Sequence, residues 1–306
     1  TSALQNAINA AQQDDIVYIQ PSVTSYGDAT VGKRITIKGA GFGIAELGSR
    51  SSTVNNITIV NSDNGTNSIS EAKFTGFSFA GISFAAGTGG TPYNNLVFEN
   101  ISGSTFNHTN CVPAVDNLIL RNSLVGSITI GSCSGMTNTK IYNTIITSQL
   151  TVGNNSDPLI TNNLLTMSAN PSIAMPNSTG IRIEHNILSG SGSTFSTMVN
   201  ALVVNNIFYG QTPGAYSTGV TFRDNTFSNN LVLAAFTFPV PGNSGGTNSG
   251  VGNIAGTGPL FTNAPVSTAY NATYDYTLQV GSPCIAAATT GDNIGPSGGL
   301  YPWTGN

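Results

Sequence analysis

The sequence predicts an all-β protein folded as a parallel β-helix, in which short strands stack turn upon turn. Three observations support this prediction. An Asn recurs about every 21 residues in the middle of the chain. Apolar residues recur at fixed positions around this Asn. In the segments between these positions, apolar residues alternate with small polar residues. Strands that cannot bury an apolar face alone gain a core when neighbouring turns stack.

The recurring asparagines are separated by 22, 21, 20, 23, 20 and 19 residues. An amide at the same corner of each turn can hydrogen-bond the backbone of the next turn, where a sharp bend leaves polar groups unpaired. We therefore predict that this column is a structural ladder and has no binding role. Its members are Asn100, Asn122, Asn143, Asn163, Asn186, Asn206 and Asn225.

A second apolar column follows the asparagines, for example Ile128 in residues 127–130 and Leu150 in residues 149–152. Alternation with period two indicates strands with one buried and one solvated face. The solvated column beside it is small and uncharged, and it either serves as a solubilising face or binds carbohydrate or ordered water. It comprises Asn107, Thr129, Thr151, Ala174, Ser196 and Ser217.

The two ends of the chain differ from the middle, as the terminal turns of a solenoid must. Ala3, Leu4, Ala7, Ile8 and Ala11 recur at helical spacing and predict a short capping helix. We predict a single domain over residues 1–306. It has an N-terminal cap at 1–33, regular coils at 34–230, and irregular last coils with a C-terminal cap at 231–306.

Segments at both ends resemble bacterial secreted right-handed parallel β-helix repeat proteins of the pectate-lyase-like superfamily. At the entry these are residues 2–11, 16–19 and 35–41, and at the exit residues 259–261, 276–278, 281–285 and 292–295. Alanines 286–288 depart from the usual exit pattern, which has an acidic residue and a Gly. The resemblance implies right-handed winding and an extracellular or cell-surface location. Members of that group include polysaccharide lyases, glycosidases and adhesins.

Composition argues against several partners. Only 7% of the residues are charged, and the formal net charge is -4. Nine basic residues scattered along the sequence are not expected to form the basic stripe that nucleic acid requires. The longest apolar stretch, residues 231–240, is about half of the ~20 residues of a membrane span. We expect no membrane span and no cofactor, and a monomer that can be part of a larger surface protein, since Thr1 is not an initiator Met.

The cysteines bear on the compartment. Cys111 and Cys133 each lie 11 residues after a recurring Asn, which places them at the same corner of adjacent turns. Turns ~4.8 Å apart fall within the Cα separation that a disulfide tolerates. The pair forms either a disulfide or two buried thiols. Cys284 is expected to be a lone packed residue, and no residue spacing indicates a metal site.

The densest ionisable cluster supplies the candidate catalytic residues. With Asn as the register mark, Glu184 and His185 match Arg223 and Asp224 two turns later. His185 is the candidate base, with Asp224 orienting it, and Glu184 with Asp224 is the candidate carboxylate pair of a glycosidase. Solvated ion pairs are the competing interpretation.

These patterns leave three functions open. We favour a secreted or cell-surface module for adhesion or carbohydrate binding, with no assured catalytic group. Thr129, Thr151, Ser196, Tyr142 and Arg182 are its candidate binding residues. The alternatives are a polysaccharide lyase or glycoside hydrolase acting on an extracellular polysaccharide, and a solenoid that binds ice or another flat surface.

Overall fold

The computed structural model describes residues 2–41, 51–60, 68–85, 93–109, 114–131, 135–167, 173–215, 220–238, 240–243 and 245–303. The chain divides into two compact units, Thr1–Lys140 (unit 1) and Ile141–Asn306 (unit 2). Strands pair in parallel in both units, and the chain makes about nine solenoid turns in all. The predicted all-β fold, a parallel β-helix with one short N-terminal α-helix, is confirmed. Its handedness stays a prediction.

Unit 1 begins with an α-helix and continues as three sheets, each built of parallel strands. Short strands form sheet 1 (β1, β3, β5, β8, β11), longer strands form sheet 2 (β2, β4, β6, β9, β12), and two-residue strands form sheet 3 (β7, β10, β13). The elements are α1 (Ala3–Ala10), β1 (Ile16–Ile19), β2 (Ala29–Val31), β3 (Thr36–Gly39), β4 (Thr53–Ile59), β5 (Lys73–Thr75), β6 (Ser78–Phe84), β7 (Tyr93–Asn94), β8 (Val97–Glu99), β9 (Ser102–His108), β10 (Val115–Asp116), β11 (Ile119–Arg121), β12 (Leu124–Ile130) and β13 (Met136–Thr137).

The predicted capping helix is confirmed as α1. Ser2 is its N-cap, because the Ser2 hydroxyl accepts a hydrogen bond from the backbone N–H of Gln5 at 3.1 Å. Leu4 and Ile8, one turn apart, are the buried residues of this helix. Strands β1 and β2 already pair within sheets 1 and 2, so regular pairing begins before residue 34.

Unit 2 repeats this plan with β14, β17, β20, β23 and β26 in sheet 1 and β15, β18, β21, β24, β27 and β28 in sheet 2. The strand β19 pairs beside sheet 2, β22 pairs with β25, and β29 with β30 forms an antiparallel hairpin. The elements are β14 (Lys140–Tyr142, whose first residue closes unit 1), β15 (Ile145–Val152), β16 (Asn155–Ser156), β17 (Leu159–Thr161), β18 (Leu164–Met167), β19 (Ile173–Ala174), β20 (Arg182–Glu184), β21 (Ile187–Phe195), β22 (Met198–Val199), β23 (Leu202–Val204), β24 (Ile207–Ala215), β25 (Phe222–Arg223), β26 (Thr226–Ser228), β27 (Leu231–Val232), β28 (Ile254–Ala255), β29 (Phe261–Asn263) and β30 (Asp275–Leu278).

From β5 onward, the chain bends between sheet 1 and sheet 2 at a two-residue corner, called here the ladder corner. The first corner residue has left-handed backbone geometry, with φ of 51° at Asn122 and 54° at Asn162. Asn tolerates this conformation better than most residues. The second corner residue is buried, as at Ser123 and Asn163. Asparagine is therefore favoured at the first position by its backbone and at the second by its hydrogen bonds.

Residues 259–303, called here the C-terminal cover, pack along the outside of unit 2. Phe261, Cys284, Ala288 and Ile294 of the cover are buried together with the first sheet-2 residues of four turns. Those four residues are Leu164, Ile187, Ile207 and Leu231. Packing across the side of several turns was not part of the prediction, and the C-terminal cap within 231–306 stays a prediction. Cys284 is a free, fully buried thiol, as expected.

Candidate functional site

The predicted catalytic group does not assemble. Glu184 ends β20 and His185 follows it at the ladder corner, whereas Arg223 lies in β25, which pairs with β22 in a different sheet. The register explains the correction. Because Val203 pairs with Phe227, the corner that follows β26 contains Asn230, so Asn225 was the wrong register mark for Arg223 and Asp224.

The charged members of that group form local ion pairs. Arg223 is paired with the adjacent Asp224, and Glu184 accepts a hydrogen bond from Nε of Arg182 at 2.7 Å. Both arginines are at least 40% exposed, and such pairs contribute little free energy in water. The Arg223–Asp224 pair is solvated, whereas the carboxylate of Glu184 is only 11% exposed.

His185 is enclosed by the C-terminal cover. Its side chain is 4% exposed, its Nδ1 lies 3.3 Å from the carbonyl oxygen of Gly295, and its Nε2 lies 3.1 Å from Nδ2 of Asn205. Burial lowers the pKa of His185, although the Gly295 carbonyl and the charges of Glu184 and Asp292 oppose this shift. A neutral imidazole with both nitrogens engaged and no open space beside it is not placed to act as a base on a substrate.

An amide ladder runs through the second position of the ladder corner in unit 2. The Nδ2 of each Asn donates to Oδ1 of the next at 2.9–3.1 Å, and each Oδ1 also accepts from the preceding corner's backbone N–H. The ladder consists of Asn163, Asn186, Asn206, Asn230 and Asn253. Thr144 precedes it, donating its backbone N–H to Oδ1 of Asn163 at 2.9 Å.

The seven asparagines that we predicted to form one column therefore occupy three different positions in their turns. Asn163, Asn186 and Asn206 belong to the amide ladder. Asn100, Asn122 and Asn143 occupy the first corner position, which Asn162, His185, Asn205 and Asn229 hold in later turns. Asn225 lies at another corner, where its Nδ2 donates to Oδ1 of Asn248 at 3.0 Å in a second, shorter ladder.

The predicted binding residues fall into two environments. Thr129 pairs in register with Asn107, and Thr151 with Ala174, on the outer side of sheet 2, with Ser196 one residue beyond the next pair. Arg182 is exposed. The candidate binding residue Tyr142 is not accessible to a ligand, because it is 7% exposed and its ring stacks on Tyr301 of the cover with centroids 4.1 Å apart.

Unit 1 presents a flat polar face on the outside of sheet 2. Neighbouring turns align two rows of outward residues, separated along each strand by one inward apolar residue. The first row is Thr30, Thr58, Ser83, Asn107 and Thr129. The second row is Asn56, Gly81, Thr105 and Ser127.

A shallow concavity of about 470 Å³ lies on this polar face. Asp28 at its margin accepts hydrogen bonds from the backbone N–H and the Nδ2 of Asn56, at 3.1 and 2.9 Å, and thereby fixes the Asn56 amide. The Oδ1 of Asn56 then faces the space above Gly81. A β-carbon at Gly81 would lie 2.9 Å from that oxygen and 3.3 Å from Oγ1 of Thr105. Because Gly81 has no side chain, a notch remains between the amide oxygen of Asn56 and the hydroxyl group of Thr105.

Sequence reasoning missed most of this face. Thr30, Thr58 and Ser83 lie in turns before Asn100, where no recurring Asn marks the register. The signal available was the alternation in residues 56–59 and 81–84, where small polar residues separate apolar ones.

Other predicted features concern metals, membranes and thiols. In the ranges the structure describes, no group of three His, Cys, Asp or Glu side chains gathers as a metal site would require. No helix among these residues is long and apolar enough to cross a membrane. Cys111 and Cys133 lie outside the described residues.

Fold and surface together define a parallel β-solenoid with a polar, largely uncharged outer face. Comparison with known proteins adds no family to this class: no protein family model matches the chain, and no curated protein is significantly similar to it.

Proposed function

We propose that the protein is a secreted or cell-surface glycan-binding module that holds a hydroxyl-rich, uncharged ligand on the polar face of unit 1. The notch at Gly81 carries the proposal. Sugar hydroxyls both donate and accept hydrogen bonds, and the notch offers them an amide oxygen on one side and a Thr hydroxyl on the other. Right-handed winding and export rest on the resemblance in the terminal segments.

The dimensions of the concavity suit this ligand class. Its volume of about 470 Å³ falls within the roughly 300 to 1,000 Å³ of small-molecule sites. Row spacing follows the strand separation of about 4.8 Å, so an extended glycan lying across the strands meets a hydroxyl or amide group at each turn. Asp28 contributes the one carboxylate among the described lining residues. Glycosidase chemistry needs a pair of them, so binding without turnover is the better supported function.

Binding to a panel of neutral polysaccharides, followed by titration calorimetry, tests the proposal. Gly81→Ala fills the notch on a strand whose backbone accepts Ala, and we expect at least a tenfold loss of affinity, because a ligand hydroxyl loses its space and its two partners. The control is Gly214→Ala, on a sheet-2 strand of unit 2, where a β-carbon would meet only Oγ of Ser193 at 3.9 Å. Absence of glycan binding by the wild type, or equal affinity of Gly81→Ala, would overturn the proposal.

Ice binding is a second candidate function because the first row extends through five turns at strand spacing. Flatness and regular spacing are what a lattice of ordered water requires. Ser83 and Asn107 interrupt the Thr side chains, which favours glycan as the ligand. Thermal hysteresis that is lost in Thr58→Tyr, without glycan binding, would reverse this preference.

A further inference from the structure

The outer side of sheet 1 in unit 1 gathers basic side chains that lie far apart in the sequence. Lys38 faces outward from β3 and Arg121 from β11 at the same register position. Lys73 faces outward from β5 at the neighbouring position, two residues earlier along the strand. The backbone N–H of Lys140 bonds the carbonyl of Leu118 at 2.8 Å, so Lys140 continues the face one turn further. Among the described residues, Glu99 is the one acid at the outward positions of these strands. These four basic side chains share one face of sheet 1, and the expectation that the protein binds no nucleic acid stays a prediction.

Glu99 holds two of the cations in place. Its carboxylate is 11% exposed and contacts Nζ of Lys73 at 2.5 Å and the guanidinium of Arg121. Burial opposes its ionisation, but the hydrogen bonds from Lys73 and Arg121 prevail and keep the pKa of Glu99 below its ordinary value. One carboxylate thus orders two cations, whose side chains are still 39% and 35% exposed, and the trio retains a net positive charge.

Tyr18 adds an aromatic surface at the N-terminal end of this row. It pairs in register with Lys38, whose Nζ lies 5.9 Å from the ring centroid, and it is 61% exposed. An exposed aromatic ring beside a cation can stack on a sugar ring while the cation meets an acidic substituent. Arg34 is paired with both Asp14 and Glu71, and this group of one cation and two carboxylates adds no unpaired positive charge to the surface.

The row has no counterpart in unit 2. The outward positions of β17, β20, β23 and β26 carry a single base, Arg182, and that base is paired with Glu184. Unit 1 therefore concentrates positive charge on one face of a chain whose formal net charge is -4.

We propose that this basic row, defined as Tyr18, Lys38, Lys73, Arg121 and Lys140 at two neighbouring register positions of sheet 1, binds a linear anionic glycan that carries carboxylate or sulfate groups. The geometry favours a glycan over a nucleic acid. Duplex DNA presents one charge per ~1.7 Å, whereas the row offers at most one cation for each strand separation of about 4.8 Å. A sugar ring is about as long as that separation, so one acidic group per one or two sugars matches the row. The site lies on a different sheet from the notch at Gly81 and does not depend on the function proposed above.

Calorimetric titration of the full chain at low and moderate salt tests this site with four probes: heparin oligosaccharides for sulfate, hyaluronan oligosaccharides for carboxylate, dextran as a neutral glycan, and a DNA duplex. We expect the anionic glycans to bind, with affinity that falls as salt rises, because ordered counterions are released. Binding by one of the two anionic glycans identifies the acidic group. Failure of both to bind, or a duplex that binds more tightly than both, would overturn the proposal.

The variant Lys38→Gln with Tyr18→Ser removes two exposed side chains outside the Glu99 trio. We expect an affinity loss of roughly tenfold and a shallower salt dependence, with an unchanged melting temperature. Arg34→Gln is the matched control, since its charge is already paired, and its affinity is expected to stay within about twofold. Equal binding by the double variant contradicts the proposal. Gly81→Ala must leave heparin binding intact, so failure at the notch and failure at the basic row are distinguishable.

Discussion

The two units use the same strand position in opposite ways. At the first residue of the sheet-2 strands, unit 1 carries Thr53, Ser78 and Ser102, all partly exposed. At that position in unit 2 the residues are buried and apolar, namely Leu164, Ile187, Ile207 and Leu231. An outward apolar stripe on a solenoid indicates that another part of the chain covers it, and in unit 2 the C-terminal cover does so.

The ladder corners differ in the same sense. Among the described corner residues of unit 1, the backbone N–H of Ile101 donates to Oγ of Ser123 at 3.3 Å, and Asn100 and Asn122 are exposed. In unit 2 the amide ladder fills the second position, and first-position residues contact the cover. Asn162, for example, donates through Nδ2 to the carbonyl of Pro296 at 3.0 Å. In unit 2 the ladder corner is therefore stabilised on its inner side by the amide ladder and on its outer side by the cover. In unit 1 the first-position asparagines remain exposed to solvent.

Replacing the middle of the amide ladder should have the largest effect. Asn206 donates to the carbonyl of Ile183 at 2.8 Å and accepts from both the backbone and the side chain of Asn186. Asn206→Ala leaves several buried groups unpaired, at about 1 to 3 kcal/mol each, so we expect a loss of more than about 3 kcal/mol in the free energy of unfolding, measured by chemical denaturation. Asn122→Gly, at the exposed left-handed position, should change it by less than about 0.5 kcal/mol. Equal losses would mean that the two corner positions do not differ.

The outward stripe provides the second test. Ile207 is fully buried beneath the cover, and Ile207→Ser should lower the free energy of unfolding by about 2 to 4 kcal/mol, because it removes packing and buries a hydroxyl. Leu124 occupies the matching position in unit 1 and is only partly buried. Leu124→Ser should cost less than about 1 kcal/mol. If both substitutions cost the same in denaturation experiments, the cover contributes no specific packing.

The sequence predicted the helix and the stacked strands because inward alternation repeats at nearly constant intervals. It could not resolve which Asn sits where. Asn suits both positions of the ladder corner, two different corners use it, and turn lengths vary by several residues, so an alignment on Asn shifted by one residue at Asn163 and moved to another corner at Asn225. That shift produced the false proximity of His185 and Arg223.

Two further features were present in the sequence but hidden. In unit 2 each sheet-2 strand opens with two adjacent apolar residues, as in Leu164–Leu165 and Ile187–Leu188, which breaks the alternation and indicates burial on both sides. The basic row is invisible to inspection because Lys38, Lys73 and Arg121 are separated by 35 and 48 residues. Only the strand register brings them to one face.

The attachment of the cover should depend on pH through His185. Its Nδ1–H donates to the Gly295 carbonyl, so Nε2 accepts from Nδ2 of Asn205, whose Oδ1 is occupied by the backbone N–H of Thr289 at 3.0 Å. A proton on Nε2 would face the Nδ2 donor of Asn205. This amide cannot rotate to present its oxygen instead, because the oxygen already accepts the hydrogen bond from Thr289. The folded pKa is lowered, so stability is complete above the ordinary value of about 6.5 and falls as pH drops below it, by at most ~1.4 kcal/mol per pH unit.

Trp303 should report detachment of the C-terminal cover, because it is the one Trp of the chain and lies in the cover. We expect its fluorescence and the proteolytic susceptibility of residues 259–303 to change as the pH falls below about 6.5, with the change reversed on returning to neutral pH. His185→Asn keeps a residue suited to left-handed geometry and should abolish the pH dependence. A response that persists in this variant would assign the titration to another group.

The smallest expected effect concerns the end of the cover. Tyr301 stacks on Tyr142 with ring planes 17° apart, and an aromatic pair of this kind contributes roughly 0.5 to 1.5 kcal/mol beyond its buried area. Tyr301→Ala should therefore loosen the last residues, which would change Trp303 fluorescence and speed hydrogen exchange there, while the free energy of unfolding falls by only about 1 kcal/mol. Leu300→Ala is the matched control, since Leu300 is 72% exposed and its removal should alter neither signal. Equal responses from the two variants would show that the stack does not hold the cover, and would leave its attachment to the apolar stripe and to the hydrogen bonds of His185 and Asn162.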